Sequence, residues 1–249
     1  MSMKDGLNVK DEKIYSFLMI GQSNMAGRGD FADVPLIKNS GCYMLRCGRW
    51  QTMYEPVNPD RCVFVEQTAF HSGVSLAPAF ADLMAREEGV RVGLIPCADG
   101  GTHLNQWMPG QVLYDHAVMM AKLAMRSSTL AGILWHQGEA DARCDGDVAT
   151  YKERFIKMIT AMREELGDVP VILGEIAKNT HEKWLIGERG PRLNKIFHEI
   201  AEQLPSCAVA SSDGLVLKAD GIHFNSESLR ILGGRYYDCY KTIKKRTEK

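Results

Sequence analysis

Short apolar segments alternate with longer segments of helical periodicity along this chain, and this alternation most restricts how it can fold. The apolar runs have strand length and little polar alternation, which is typical of strands covered on both faces. They are residues 14–20, 92–95, 133–135, 169–173 and 207–210. Apolar residues at helical spacing fall within residues 76–84, 112–125, 151–162 and 193–200, and a final helix is expected from about Ser226. The pattern predicts a three-layer αβα sandwich around a central, mainly parallel five-stranded sheet.

The length of 249 residues, 45% of them hydrophobic, fits one domain over residues 1–249 with one substantial core. Residues 30–74 interrupt the alternation with Pro35, Pro56, Pro59 and a possible hairpin turning at residues 47–49. This insertion would lie beside the end of the first strand. It either shapes a substrate pocket or forms a surface loop.

The formal net charge of -1 gives no broad positive field for a nucleic acid or an anionic membrane, so neither is an expected partner. No apolar run approaches the roughly 20 residues of a membrane-spanning helix. Residues 1–13 are charged where a signal peptide would be apolar, and a cytoplasmic location is therefore expected. A secreted protein whose signal had been removed would give the same pattern. The sequence does not indicate an oligomeric state.

The cysteines are odd in number, scattered and free of any Cys-x-x-Cys pair, which favours reduced thiols over disulfides or structural zinc. They are Cys42, Cys47, Cys62, Cys97, Cys144, Cys207 and Cys239. We expect no metal and no organic cofactor.

The first predicted strand runs directly into Gly-Gln-Ser-Asn-Met-Ala-Gly at residues 21–27, so Ser23 stands at the carboxyl end of a strand. Enzymes with parallel α/β sheets place reactive groups there. A nucleophilic serine needs a base and an orienting partner, and Asp220 and His223 offer both across a glycine-containing turn. Such a pair is more often a loop carboxylate and a surface histidine. Its position between the last strand and the last helix favours a triad.

Two more segments follow predicted strands and should open onto the same edge of the sheet. They read Pro-Cys-Ala-Asp-Gly-Gly-Thr at residues 96–102 and Trp-His-Gln-Gly-Glu-Ala-Asp at residues 135–141. Glycine N–H groups can approach a ligand closely, and the Gln137 amide can donate a hydrogen bond. With the Ser23 N–H, they could form an oxyanion hole. The alternative for Gly100 and Gly101 is an ordinary tight turn.

Four motifs occur in a recognisable order: Gly-Gln-Ser-Asn-Met, Pro-Cys-Ala-x-Gly-Gly-Thr-x-x-x-x-Trp, Trp-x-Gln-Gly-Glu and Asp-Gly-x-His-Phe. From about residue 16 to about residue 237, the chain resembles the SGNH hydrolases that include sialate O-acetylesterases and family 6 carbohydrate esterases of the acetylxylan esterase type. The resemblance implies a flavodoxin-like sandwich and a triad of Ser23, His223 and Asp220. It also implies an oxyanion hole from Ser23, Gln137 and a glycine, for which we favour Gly101.

Two positions depart from the family pattern. Gln137 stands where many SGNH enzymes have asparagine, as the carbohydrate-esterase branch would have it. Asp99 places a carboxylate where an apolar residue is expected, and no role is assigned to it.

The resemblance implies a serine esterase that removes O-acetyl groups from carbohydrates, either acetylated xylo-oligosaccharides or O-acetylated sialic acids. Trp107 would stack on a sugar or pack in the core, and His136 would line the pocket or be packed. Glu139 is more readily explained as holding the Gln137 loop than as a catalytic acid. The expected substrate-binding residues are Gln22, Asn24, Gly100, Trp107, His136 and Glu139.

Other functions compete with this interpretation. An SGNH esterase or thioesterase acting on other acyl chains, a metal-dependent hydrolase and a silent sugar-binding module are the alternatives. An α/β-hydrolase lipase is disfavoured because Met25 fills the second glycine position of its Gly-x-Ser-x-Gly elbow. A dinucleotide fingerprint at residues 27–32 is disfavoured because Pro35 would interrupt its helix. His136, Glu139 and Asp141 match no established metal-binding spacing.

Overall fold

The structure, a computed structural model, describes residues 13–59 and 71–247. Within them, seven strands form one sheet in the order β3-β2-β4-β1-β5-β6-β7. All neighbouring pairs are parallel except the hairpin of β2 and β3. The strands are β1 (Ile14–Gly21), β2 (Cys42–Arg46), β3 (Arg49–Thr52), β4 (Arg91–Pro96), β5 (Thr129–His136), β6 (Val171–Gly174) and β7 (Cys207–Ala210).

Helices cover both faces of this sheet. They are α1 (Ser23–Ala26), α2 (Ala77–Glu88), α3 (Val112–Met125), α4 (Asp145–Leu166), α5 (Arg189–Gln203) and α6 (Ser226–Thr247). One hydrophobic core lies between the sheet and helices α3, α4 and α5, and a second lies between the sheet and helices α2 and α6. The predicted three-layer sandwich is therefore confirmed. No helix in the described ranges is both long and apolar enough to cross a bilayer.

The predicted count of five strands was wrong, because the hairpin in the insertion extends the sheet. β2 pairs with β4 in parallel register, with Cys42 opposite Val92 and Met44 opposite Leu94. The hairpin turns at Cys47 and Gly48, whose φ angles of 52° and 74° suit a tight two-residue connection. The local sequence predicts the turn. It does not reveal that β2 pairs with a strand that follows much later in the chain.

Burial on both faces explains why β1 shows no polar alternation. Ile14, Leu18 and Ile20 belong to the core beneath α3, α4 and α5. Phe17 points the other way, where its ring meets Phe80 edge-on at a centroid distance of 4.7 Å. Both sets of side chains leave water, which explains why the strand is largely apolar. Its buried serine, Ser16, is satisfied by a hydrogen bond from Ser128 Oγ at 2.9 Å.

The described cysteines are free thiols, and three of them, Cys42, Cys97 and Cys207, are buried. Cys62 lies outside the described residues.

The end of β1 is the point at which the sheet order reverses, because the chain places β4 on one side of β1 and β5 on the other. Ligand sites in open α/β sheets lie at such a switch point. Hydrogen bonds hold the neighbouring loops against it: Gln22 N–H donates to His136 O at 2.9 Å, and Asp99 N–H donates to Gly21 O at 2.9 Å. The sheet thus brings the three motif-bearing loops to one place.

Gly21 is the residue that permits this close approach. Its φ of +127° is strained for any residue with a side chain, and a Cβ there would lie 2.2 Å from the His136 carbonyl oxygen. Only glycine therefore fits between the end of β1 and the end of β5.

We predict that Gly21→Ala lowers the free energy of unfolding by at least about 3 kcal/mol, because strain and overlap add. Gly89→Ala is the matched control, since Gly89 has a φ of +64° but nothing lies within 4 Å of its Cβ position. That variant should lose only about 1 kcal/mol. Urea unfolding of both variants measures the difference, and equal losses would show that close approach at Gly21 is unimportant.

Candidate active site

Ser23, His223 and Asp220 form a continuous series of hydrogen bonds at the end of β1. Ser23 Oγ lies 2.9 Å from His223 Nε2, and His223 Nδ1 lies 2.8 Å from Asp220 Oδ2. Because the aspartate can only accept, His223 carries its proton on Nδ1 and leaves Nε2 as an acceptor for the serine hydroxyl. The structure thus brings together the three residues predicted as a triad, although Ser23 and His223 are 200 positions apart.

The loop that carries Asp220 is held from two sides. Asp220 Oδ1 accepts the backbone N–H groups of Ile222 and His223, each at 3.0 Å, which leaves Oδ2 for the imidazole. From outside, Trp184 Nε1 donates to Asp220 O at 2.8 Å, and His181 N–H donates to Gly221 O at 2.8 Å. The carboxylate therefore has a fixed orientation.

The surroundings set the protonation states of this pair. Burial lowers the pKa of His223 below its ordinary value, against the opposing influence of Asp220. Burial alone would raise the pKa of Asp220, but hydrogen bonds from the backbone N–H groups of His223 and Ile222 and from the His223 ring outweigh it, so that pKa is lowered. At neutral pH, Asp220 is ionised and His223 is neutral. This is the state in which the imidazole can accept a proton.

Asn24 joins the nucleophile helix to the other two loops. Its Nδ2 donates to Glu139 Oε1 at 2.6 Å and to Ile222 O at 3.3 Å, and its Oδ1 accepts from Phe224 N–H at 3.1 Å. The side chain is fully buried. Asn24 therefore positions Ser23 relative to the loop of His223.

The prediction that Gln137 donates to an oxyanion does not fit the structure. Its Nε2 donates to Thr102 O at 2.9 Å and to Asp141 Oδ2 at 2.7 Å, while Tyr151 O–H donates to its Oε1 at 2.8 Å. An amide nitrogen has two hydrogens, so both are engaged. Because the side chain is also fully buried, Gln137 fastens the loop after β4 to the loop after β5.

Several predicted substrate contacts are likewise buried, so their side chains do not face a space that a substrate could enter. Asn24, Trp107, His136 and Glu139 are each 0% exposed. Trp107 packs edge-on against Trp135 at 5.6 Å and donates its Nε1–H to Thr102 Oγ1. Gln22 is 3% exposed, and its Oε1 accepts from Gly138 and Ala140 N–H groups. These polar residues support the loops from beneath.

His136 and Glu139 form a buried pair below the triad. Tyr236 O–H donates to Trp135 O, so His136 Nδ1–H must donate to the Tyr236 oxygen at 3.1 Å. Burial lowers the pKa of His136 to about 3 and raises that of Glu139. His136 is therefore neutral at neutral pH. Glu139 accepts a hydrogen bond from Asn24 and another from its own backbone N–H, which ties the Gln137 loop to the helix that carries Ser23.

Gly100 and Gly101 remain the candidates for backbone donors beside Ser23. As the first residue of α1, Ser23 leaves its own N–H outside the helical hydrogen bonds. Gly101 has a φ of +75° and is exposed, and Gly100 is partly buried. Asp99 is buried, and its N–H and carbonyl are used to hold the turn, through Gly21 O and Thr102 Oγ1.

Asn58, from the insertion, fixes this glycine loop. Its Oδ1 accepts from Ala98 N–H at 3.1 Å, and its Nδ2 donates to Ala98 O at 3.0 Å and to Pro59 O at 2.8 Å. The side chain is fully buried. It thereby pairs with the backbone of Ala98 as a strand would.

Among the described residues, one histidine and two aspartates form a cluster whose side chains are of types that bind metal ions. Potential ligand atoms of His103, Asp141 and Asp147 lie within 4.8 Å of one another. Arg154 Nη2 lies 3.1 Å from Asp141 Oδ1 and 3.8 Å from Asp147 Oδ1. The guanidinium thus supplies positive charge to this cluster.

The insertion does form part of a pocket. Its base is closed by the hydrogen bonds between Gly29 and Val74, at 3.1 and 2.9 Å. On either side of this closure, residues 29–31 and 71–73 line a cavity of about 350 Å³ together with Asp220 and His223.

A hydrogen-bonded serine, histidine and aspartate at the switch point of a parallel sheet have the geometry of an SGNH-type serine hydrolase. The chain matches, over residues 13–242, the family model described as carbohydrate esterase, sialic acid-specific acetylesterase. It belongs to this family, and it is an ester hydrolase. The resemblance found in the sequence motifs is confirmed.

Individual relatives agree with this assignment. A probable carbohydrate esterase of Arabidopsis thaliana is 28% identical over 239 residues, covering 87% of this chain and 86% of the relative. The solved structure of that Arabidopsis protein has a TM-score of 0.81 at 25% identity, covering 92% of this chain and 98% of the other.

More distant solved structures share the fold. NanS has a TM-score of 0.74 at 16% identity, with 94% of this chain and 98% of NanS covered. A lipase/acylhydrolase of Enterococcus faecalis has a TM-score of 0.53 at 17% identity, with 94% and 96% covered.

Sequence reasoning missed the residues that hold the loops from a distance. Asn58 gave no signal, because its partner lies 40 positions away and the intervening sequence has no motif. Tyr151 was recognised only as an apolar position of α4, although its hydroxyl orients Gln137. A buried amide oxygen must accept a hydrogen bond, so the burial of Gln137 implies a donor such as the Tyr151 hydroxyl.

We predict that Asn58→Ala lowers kcat by about 10- to 100-fold with little change in KM, because the glycine loop shifts relative to Ser23. Asn39→Ala is the matched control. Asn39 lies in the same insertion and makes two side-chain hydrogen bonds. Its Nδ2 donates to Asp82 and its Oδ1 accepts from Gly41 N–H, but it makes no hydrogen bond to the glycine loop. Steady-state kinetics on an acetyl ester compare the two. Equal kcat values in both variants would contradict the positioning role of Asn58.

Proposed function

We propose that this protein is a serine esterase that removes O-acetyl groups from carbohydrates. The observation that carries the proposal is the series Ser23 Oγ, His223 Nε2, His223 Nδ1 and Asp220 Oδ2, with spacings of 2.9 and 2.8 Å. Family membership supports the ester chemistry and the carbohydrate substrate. The name of the Arabidopsis relative, a probable carbohydrate esterase, agrees with it.

In the proposed reaction, Ser23 Oγ attacks the acetyl carbonyl carbon while His223 Nε2 takes the serine proton. The carbonyl oxygen becomes an oxyanion, held by the Ser23 N–H and by a backbone N–H of Gly100 or Gly101. We assign the second oxyanion donor to Gly101. Gln137 is left out of the oxyanion hole because both of its amide hydrogens bond to other groups of the protein. Collapse breaks the ester bond, and His223 gives the proton to the departing sugar oxygen. Water then attacks the acetyl-enzyme and releases acetate.

The acetylated sugar is the substrate class of the proposal, and two kinds of sugar compete. The family description points to O-acetylated sialic acids. The sequence motifs are shared with acetylxylan esterases, which favours acetylated xylo-oligosaccharides. Acetate release from both, measured under the same conditions, decides between them.

We predict that Ser23→Ala lowers kcat on 4-nitrophenyl acetate by at least about 1,000-fold without changing the thermal unfolding temperature. Because burial lowers the pKa of His223, kcat/KM of the unmodified enzyme should rise with pH through a value below about 6.5, the ordinary histidine pKa.

Asp220→Asn should lower kcat by roughly 1,000-fold or more. It should also shift the acidic limb to still lower pH, since Asp220 raises the pKa of His223.

His198→Ala is the control for these variants. His198 is half exposed and bonds Glu175 at 2.9 Å, so its loss should leave the pH profile in place. Full activity of Ser23→Ala would eliminate the proposed nucleophile.

We predict that acetyl esters are hydrolysed at least about tenfold faster, by kcat/KM, than octanoyl esters of the same alcohol. The proposed substrates carry an acetyl group, and Ser23 is only 7% exposed, so we expect a longer acyl chain to reach the nucleophile less well. A preference for octanoyl esters would instead favour the alternative of a lipase or thioesterase. Loss of activity with EDTA would favour a metal-dependent hydrolase, and turnover of no ester would favour a sugar-binding module.

A further inference from the structure

The cavity beside the triad is lined by His223 and Asp220, and Ser23 is not among its lining residues. It measures about 350 Å³, at the lower end of the range of about 300–1,000 Å³ for small-molecule sites. Arg28, Gly29, Asp30 and Phe31 form one wall, and Lys218 another. Arg28 and Gly29 directly precede the insertion, Asp30 and Phe31 begin it, and Lys218 lies shortly before the triad loop.

The position of the cavity next to His223 has a chemical meaning under the proposed function, on which this inference rests. His223 Nε2 must protonate the departing alcohol oxygen, so the alcohol part of the ester has to lie on the histidine side. The acyl part lies at Ser23 and the glycine loop. We propose that this cavity is the subsite for the sugar ring that carries the acetyl group, and that Phe31 is its aromatic wall.

The walls match a hydroxylated ring better than a fatty alcohol. Phe31 is 39% exposed and lines the cavity, so part of its ring is accessible to a bound ring. Opposite charges lie beside it, because Lys218 Nζ is 3.0 Å from Asp30 Oδ2, and both side chains are partly exposed. A sugar hydroxyl group both accepts and donates hydrogen bonds. The Lys218 ammonium can donate to it, and the Asp30 carboxylate can accept from it. An aromatic wall with a few placed polar groups is typical of small-ligand sites.

The cavity also has a defined shape, since its walls are anchored. Lys218 Nζ donates to Arg28 O at 2.7 Å, and Lys218 N–H donates to His223 O at 2.8 Å. Ser226 Oγ donates to Asp30 O at 2.8 Å at the start of α6. The wall that carries Phe31 is thereby tied to the same segment that carries the catalytic histidine, which favours a preformed subsite.

The test is Phe31→Ala, assayed with an acetylated methyl xyloside and with ethyl acetate, whose alcohol part is too small to reach the aromatic wall. KM for the sugar ester should rise about 3- to 10-fold, the range expected from loss of one aromatic contact, and kcat/KM for ethyl acetate should not change. Phe31→Tyr should restore the KM for the sugar ester. Leu36→Ala is the matched control, because Leu36 is an exposed apolar residue of the same insertion that does not line the cavity.

Binding measurements separate this inference from the proposed function. In a Ser23→Ala background, calorimetry with the acetylated xyloside, and with an O-acetylated sialic acid, should show binding that Phe31→Ala weakens by the same factor for whichever sugar binds. Binding and KM unaffected by Phe31→Ala, in an enzyme that hydrolyses the sugar ester, would overturn the subsite and leave the esterase intact. An equal loss with ethyl acetate would also overturn it. A chain that binds the sugar through Phe31 but hydrolyses no ester would retain the subsite and refute the esterase.

Discussion

The active site depends on one buried side chain, Asn24, which makes three hydrogen bonds to two loops distant in sequence. A buried amide must have its donors and acceptor satisfied, and here they are satisfied by Glu139, Ile222 and Phe224. These partners come from the loops after β5 and β7, whereas Asn24 follows β1. The distance between Ser23 and His223 is therefore fixed from below by hydrogen bonds, while the sheet fixes only the approximate position of each loop.

The sequence predicts the strands that place each loop, but it does not predict the buried hydrogen bonds that fix the loops relative to one another. Apolar runs define β1, β4, β5, β6 and β7 because burial on both faces leaves a local signal. The sequence predicts Ser23 because reactive groups lie at strand ends in such sheets, and it predicts Asp220 and His223 because of their spacing and their resemblance to a family motif. The sequence could not distinguish a polar residue that meets a ligand from one that meets a buried partner. Trp107, His136 and Glu139 were therefore assigned to the substrate, although each is covered by the fold.

The remaining errors share the same physical origin. β2 joins the sheet by pairing with β4, and Asn58 pairs with Ala98, and both contacts join segments separated by about 40 or more residues. Hydropathy and turn chemistry describe neighbours along the chain and say nothing about such pairings. Gln137 shows the limit of a motif: the residue type is the expected one, but the surroundings use both of its amide hydrogens to join the two loops. The insertion, by contrast, is close to the site because its base is closed beside Gly27 and Gly29.

The separation of Ser23 and His223 by 200 positions has a consequence for how this protein acquires its reactivity. Bringing together residues this remote in sequence carries a loop-closure entropy cost, which the rest of the fold must offset. During synthesis, the serine emerges long before the histidine exists, and until the last loop docks it is an ordinary alcohol. Under the proposed function, ester hydrolysis is then a property of the completed fold, because a chain in which these segments are unfolded does not bring Ser23 to His223.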